Sequence, residues 1–385
     1  MTTTAQNTPR VPGRDRTEIV DVDVHERAAL EDLVPYLDPQ WRRYITEFGW
    51  QPERLLPYAQ PTAGGLDRAD AKLPDGRPGG SDLGLVREQL LDLYDIDTAV
   101  LTGWLNASAL GAGWPEFKTG LMSAYNDWQI ETWLEREPRL LGSIHVNAHD
   151  PLGAAREIDR MAGHPQIAQV MLYIGDRPFG DPFYEPLFAA AARHGLVVGI
   201  HHSENSPTAL GHHRWFAEWH TLISQVFMSQ TVSLVFNGVF DRHPELRVAM
   251  IEGGFSWVPH IMWRSDQQWR ELRSEVPWLQ RKPSDVIREH VRFATQPIEE
   301  MTARQFLGLV DQMESDELIL FSSDYPHWDF DSPERALPPG LPDELVRKIL
   351  ADNARATYRL PQSASRTTDA ADPQARPDAE RRRSA

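Results

Sequence analysis

The sequence predicts an α/β protein, a (β/α)8 barrel of the TIM type. Three observations carry that prediction: eight short β-type runs, helical patterns between several of them, and polar residues gathered where the runs end. In such barrels chemistry sits at the C-terminal ends of the strands, so the polar residues matter as much as the count.

The elements follow in order. The opening run, "EIVDVD" at 18–23, alternates apolar and acidic residues, and in a strand residues two apart share a side. It is followed by "TAVLTG" (98–103), "LLGSIHV" (140–146) and "AQVMLYI" (168–174). "LVVGIHH" (196–202), "LRVAMIEGG" (246–254), "VRFATQ" (291–296) and "LILFSSD" (318–324) complete the eight. Helical patterns lie between, among them "REQLLDLYDI" (87–96) and "YEPLFAAAARHG" (184–195), the latter closed by Gly195 at a C-cap position. A long insertion, residues 26–86, separates the first two strands; it is rich in Pro, Gly, Trp and Arg, and a structureless stretch of that length reads as a lid or binding element. Residues 1–17 and 362–385 have the composition of disordered tails, leaving 18–361 as one domain.

Composition narrows the chemistry. The 13 Trp and an apolar fraction of 41% supply an aromatic-rich core. A formal net charge of -17 argues against nucleic acid or an anionic membrane as partner. With no cysteine, disulfides, thiolate nucleophiles and Cys-ligated zinc are excluded, and Asp, Glu and the 14 His are the available metal ligands. The N-terminus has no apolar signal core and no run of 18 apolar residues occurs, so a soluble cytoplasmic protein is the expectation.

The polar residues at the strand ends form a pattern. Strand 1 ends in Asp23 and His25, strand 5 in His201 and His202, strand 6 in Glu252, and strand 8 in Asp324. Taken singly, each has a plainer role: an Asp caps a turn, a His pair fills a loop, a Glu before Gly253 caps the next segment. Taken together, four strands delivering His, Asp or Glu to one rim is the arrangement of a mononuclear divalent metal site. Both readings stand on the spacing alone.

The stretches "DVDVHE", "DPFYEPLFAAAARHGLVVGIHH", "NGVFDRHPELRVAMIEGG", "VRFATQPIEE", "LILFSSDYPH" and "KILADNARATYRL" resemble, in order, the amidohydrolase-related family. Its branch is the one containing aminocarboxymuconate-semialdehyde, γ-resorcylate and carboxyvanillate decarboxylases. The resemblance implies a barrel with one divalent ion, Zn2+ or Mn2+, held by Asp23, His25, His201 and Asp324. It also selects His201 over His202, and strand alternation would turn the two in opposite directions. Two departures stand out. Many members begin with His-x-His where this chain has Asp23-Val24-His25, and the added carboxylate makes the site harder and shifts preference toward Mn2+. Many also carry a strand-6 His where this chain has Glu252, which shuttles protons if burial raises its pKa.

Two mechanisms fit. In a nonoxidative decarboxylase of a small aromatic or unsaturated carboxylic acid, the favoured reading, Asp324 protonates the carbon that loses CO2. In a hydrolase of an amide, lactone or similar carbonyl, Asp324 takes a proton from metal-bound water. A degenerate barrel that binds without catalysis is the third reading. Trp104 after strand 2 and Trp328 after strand 8 are placed to wall a flat ring, in company with Tyr325, Trp41 and Trp50. Arg42 and Arg43 are candidates to fork a substrate carboxylate, their plain alternative being solvent-exposed helix charges; His327 is a candidate substrate contact. The resemblance also implies a homodimer.

Overall fold

The computed structural model describes residues 17–50, 65–104, 114–203, 206, 208, 211 and 213–361. The tails expected to be disordered lie outside these residues, apart from position 17. Eight parallel strands form one sheet in sequence order: β1 (Val20–Val24), β2 (Thr98–Leu101), β3 (Leu140–His145), β4 (Ile167–Tyr173), β5 (Val197–His201), β6 (Arg247–Ile251), β7 (Val291–Ala294) and β8 (Ile319–Leu320). The sheet closes between its first and last members. Val22 N–H donates to Phe321 O at 3.1 Å, Asp324 N–H to Asp23 O at 3.1 Å, and His25 N–H to Tyr325 O at 2.8 Å. The predicted (β/α)8 barrel is therefore the observed one, and its closure sets the ends of β1 and β8 side by side.

Helices wrap the barrel for ordinary amphipathic reasons. The helix Pro151–Met161 shows the logic: Asp150 accepts from Gly153 N–H at 2.9 Å, Pro151 starts the first turn, and Ala154, Ile158 and Met161 are buried at spacings of four and three. Losing that cap costs about 1 kcal/mol. Inside, Tyr358 of the last helix (Asn353–Tyr358) donates to Gln169 Oε1 at 2.6 Å. Gln169 lies near the start of β4, so Tyr358, packed with Met171, Val197, Ala249 and Leu320, fills the end opposite the polar rim.

The helix expected over 184–195 forms at Glu185–Arg193 and ends at Gly195, whose φ of 67° a glycine adopts freely. The one expected over 87–96 starts earlier, at Leu83, because Asp82 caps it through Leu85 N–H (3.0 Å). Its second part, Arg87–Leu91, is a π-helix that buries Leu90 and Leu91 side by side.

The insertion is not structureless. It contains the helices Leu30–Leu33 and Pro39–Phe48, the latter stopped by Gly49 at φ 68°. Residues 51–64 of it lie outside the described residues. Its later part is stitched to the loop after β8: Arg68 N–H donates to Pro326 O at 2.9 Å and Trp328 N–H to Leu66 O at 2.8 Å, around an antiparallel bridge between Asp67 and His327. Among the described residues no helix is long and apolar enough to cross a membrane.

Candidate metal centre

β1 places Asp23 and His25 on one side because they are two residues apart in an extended chain. His25 Nδ1 donates to Gly103 O at 2.8 Å, which leaves Nε2 as a lone pair facing inward. That contact depends on Gly103: at its φ of 70°, a Cβ would lie 2.3 Å from His145 Cε1. Asp23 Oδ1 accepts from Thr102 Oγ1 at 2.7 Å, and its Oδ2 has no partner. At the end of β5, His201 Nδ1 donates to His202 O at 2.6 Å, again aiming Nε2 inward. Asp324, fully buried beyond β8, brings Oδ1 to 3.0 Å from His25 Nε2 and 2.5 Å from His327 Nδ1.

Three overlapping sets result among the described residues, all sharing Glu252: Asp23, His25, His201 and Glu252; His25, Glu252, Asp324 and His327; and His220, Glu252 and Asp329, each with ligand atoms within 4.8 Å of one another. A cation fits this donor set on direct structural grounds. Asp23 Oδ2, His201 Nε2, Glu252 Oε2 and Asp324 Oδ2 are all buried without a hydrogen-bond partner. His201 Nε2 and Glu252 Oε2 lie 2.8 Å apart, yet neither is aligned to bond the other. Lone pairs converging in this way are what a divalent ion satisfies.

The electrostatics pull these donors in opposite directions. Burial raises the Asp23 carboxyl to about 7 and the Asp324 carboxyl well above its usual range. Burial also lowers His25 to about 3, keeping it a neutral imidazole. For His201 burial pulls downward, but the Glu252 carboxylate outweighs it and raises the ring to about 9. Glu252 is the reverse case: burial pushes upward, and His202 and His201 override it, holding the carboxyl well below its usual range. The sequence made proton shuttling by Glu252 conditional on burial raising its carboxyl; here the two imidazoles outweigh burial.

His202 is a correction to the expected alternation. The chain leaves the strand at His201, so alternation no longer applies, and His202 Nε2 lies 3.0 Å from Glu252 Oε2 rather than facing away. Above the cluster a cavity is lined by Leu66, Trp104, His202, Phe216, Trp219, His220, Glu252, His327, Trp328 and Asp329. Trp104, His327 and Trp328 line this cavity. Arg42 and Arg43 are not: Arg42 donates to Pro35 O and Leu37 O, and Arg43 pairs with Glu47 on the exposed helix face. Trp41 and Trp50 pack on Phe117, and Tyr325 donates to Gln89, so none of the three walls the cavity.

Three residues escaped the sequence reading. Arg27 lies 4.6 Å over the Trp104 ring, paired with Asp67 at 2.7 Å. Glu26, fully buried, accepts from Gly103 N–H at 3.0 Å and from Tyr125 Oη at 3.0 Å, which fixes the loop that orients His25. Both directly follow "DVDVH", the one signal that pointed to them. His220 pairs with Asp329 at 3.3 Å across the cavity wall, and no pattern in the sequence announces it.

A buried carboxylate–imidazole cluster at the C-terminal rim of a (β/α)8 barrel defines a metal-dependent barrel enzyme. The sequence profile of the amidohydrolase family matches residues 21–360, and the chain belongs to that family. A gamma-resorcylate decarboxylase from Rhizobium radiobacter is 25% identical over 296 residues, covering 72% of this chain and 88% of its own. An amidohydrolase structure from Mycobacterium avium subsp. paratuberculosis superimposes with a TM-score of 0.67 at 20% identity, over 90% of this chain and 100% of that one. A 5-carboxyvanillate decarboxylase from Novosphingobium aromaticivorans, complexed with manganese and a hydroxymethoxynitrobenzoic acid, does so with 0.66 at 16% identity, over 89% and 96%. These superpositions establish the shared barrel.

Proposed function

We propose that this protein is a metal-dependent nonoxidative decarboxylase of a small aromatic carboxylic acid. The observation that carries the reading is the convergence of Asp23, His25, His201, Glu252 and Asp324 beneath a cavity walled by Trp104, Phe216, Trp219 and Trp328. Asp23, His25, His201 and Asp324 would hold the ion, with Glu252 adding its carboxylate. The anionic donor set favours Mn2+ over Zn2+, and the manganese in the carboxyvanillate relative supports the choice. When bound, the ion supplies positive charge against the substrate carboxylate and a neighbouring oxygen.

The chain's own groups do the rest. The indoles hold the ring by stacking and keep water out. Asp324, whose carboxyl burial holds well above its usual range, delivers a proton to the ring carbon bearing the carboxylate. The ring carbon gains that proton as its bond to the carboxylate breaks, and CO2 leaves with no water consumed. His327, 2.5 Å from Asp324 Oδ1, lining the cavity and held neutral by burial, is placed to relay a proton from solvent back to Asp324. Glu252 stays ionised and carries charge rather than protons.

Incubation with candidate hydroxybenzoic acids in D2O tests this. Expected are CO2 and one deuterium at the vacated ring position; no CO2 from these acids, with 18O from labelled water entering the product of an amide or lactone, would establish the hydrolase instead. A cytoplasmic homodimer belongs to the same proposal, and sedimentation of the purified protein tests the dimer.

A further inference from the structure

The chain has four lysines, Lys72, Lys118, Lys282 and Lys348, and Lys118 alone is buried, at 3% exposure. It rises from the helix Pro115–Thr132 into a cavity beside the ends of β3 and β4, lined by Val146, Ala148, His149, Tyr173, Phe179 and Tyr184. The hydrogen bond of its ammonium runs to His149 Nδ1 at 3.3 Å, and among the described residues no carboxylate lies within 4.0 Å of it. The acid that faces it is Asp176, after β4; that carboxylate is 85% exposed and lies 3.5 Å from His149 Nε2. Tyr173 Oη is engaged with the Thr102 and Gly103 carbonyls and does not serve the lysine.

An ammonium taken out of water without a counter-ion is costly, and the cost shows: burial lowers Lys118 to about 8 despite Asp176. Apolar walls weaken screening, so an anion entering the cavity meets that charge at close range. The cavity is not the metal site. The Tyr173 ring stands between them, 5.1 Å from His201 on one side and lining the cavity on the other.

We propose that the Lys118–His149 cavity is a second ligand site, binding a small planar oxyanion, a carboxylate or bicarbonate. Lys118 supplies the charge and His149 fixes its Nζ. Bicarbonate is the hydrated form of the CO2 that the proposed reaction releases; a free carboxylate reaches the site whatever that reaction is. The chemistry at Lys118 is shared, so the proposal does not depend on the decarboxylase reading.

With only four lysines, protein carrying 13C-lysine gives four Cε signals, and loading with Zn2+ keeps it diamagnetic. The Lys118 signal is assigned by its loss in Lys118→Met, or by Lys118→Arg if the first variant does not fold. Expected is a saturable shift of that signal on adding sodium formate or sodium bicarbonate, raising its titration midpoint by about one pH unit. The other three signals and a sodium chloride control at equal ionic strength stay unmoved. A response to formate alone assigns the site to carboxylates, and a response to bicarbonate alone assigns it to hydrated CO2. In Asp176→Asn the anion binds more tightly. A Lys118 signal unmoved by both anions overturns the proposal, as does a midpoint that answers to Asp176→Asn but to neither anion. Because the readout is at Lys118, formate bound at the metal does not mimic it, and loss of turnover does not enter.

Discussion

Glu252 and Asp324 share a left-handed backbone, φ 62° and 57°, each within a few residues of its strand's end. Non-glycine residues avoid that region, and the conformation turns both carboxylates from the strand direction back toward the cluster.

The strain is separable from the loss of charge. Glu252→Gly and Glu252→Ala both remove the carboxylate, but only alanine keeps a Cβ in the left-handed region. In urea melts of chelator-treated protein the glycine variant is expected to be more stable than the alanine variant by about 1 kcal/mol, with both inactive. Equal stabilities would mean that the backbone relaxes once the side chain is gone.

Asp324→Asn keeps shape and removes the transferable proton. Turnover is expected to fall by about a thousandfold. If turnover survived at saturating metal, Asp324 would be a holder of the ion and the proton would come from elsewhere, with His327 next in line.

Glu252→Gln separates two duties of a carboxylate. Bracketed by His201 and His202, Glu252 remains ionised, so the amide is expected to weaken Mn2+ binding by about 10- to 100-fold while saturating metal restores most turnover. Undiminished metal affinity with turnover abolished would return Glu252 to proton transfer.

Away from the site, Glu137 reads out acid stability. Its bonds to Arg139, and next to Arg87, hold it at about 2, below its ordinary 4.5. A depressed carboxyl stabilises the fold above its unfolded pKa and loses that contribution as pH falls, here between about 4.5 and about 2. Glu137→Gln is expected to cost on the order of 1 kcal/mol at pH 7, with the difference from the parent shrinking to nothing by the bottom of that window.

Strand positions and the pair Asp23 and His25 were legible because period-two alternation and apolar runs are local signals. Asp324 and His201 were legible as strand-end residues for the same reason. What stayed hidden is set by three-dimensional neighbours. The inward turn of His202 depends on where β5 ends, and the ionised state of Glu252 on two imidazoles from another strand. Arg42 and Arg43 looked like a substrate fork because sequence shows charge without direction; their helix points that face to solvent. The pair His220 and Asp329, 109 positions apart, has no linear signature.

Closure of the barrel between β1 and β8 has a consequence for biosynthesis. His25 emerges early from the ribosome, yet its partner Asp324 follows 299 residues later, and the β1 hydrogen bonds to Phe321 and Tyr325 wait for the same stretch. A nascent chain therefore presents scattered ligands with no common pocket until its last strand arrives. Ion capture becomes a late event that marks a finished chain, and chains cut short before β8 are left without the clasp that secures the first strand.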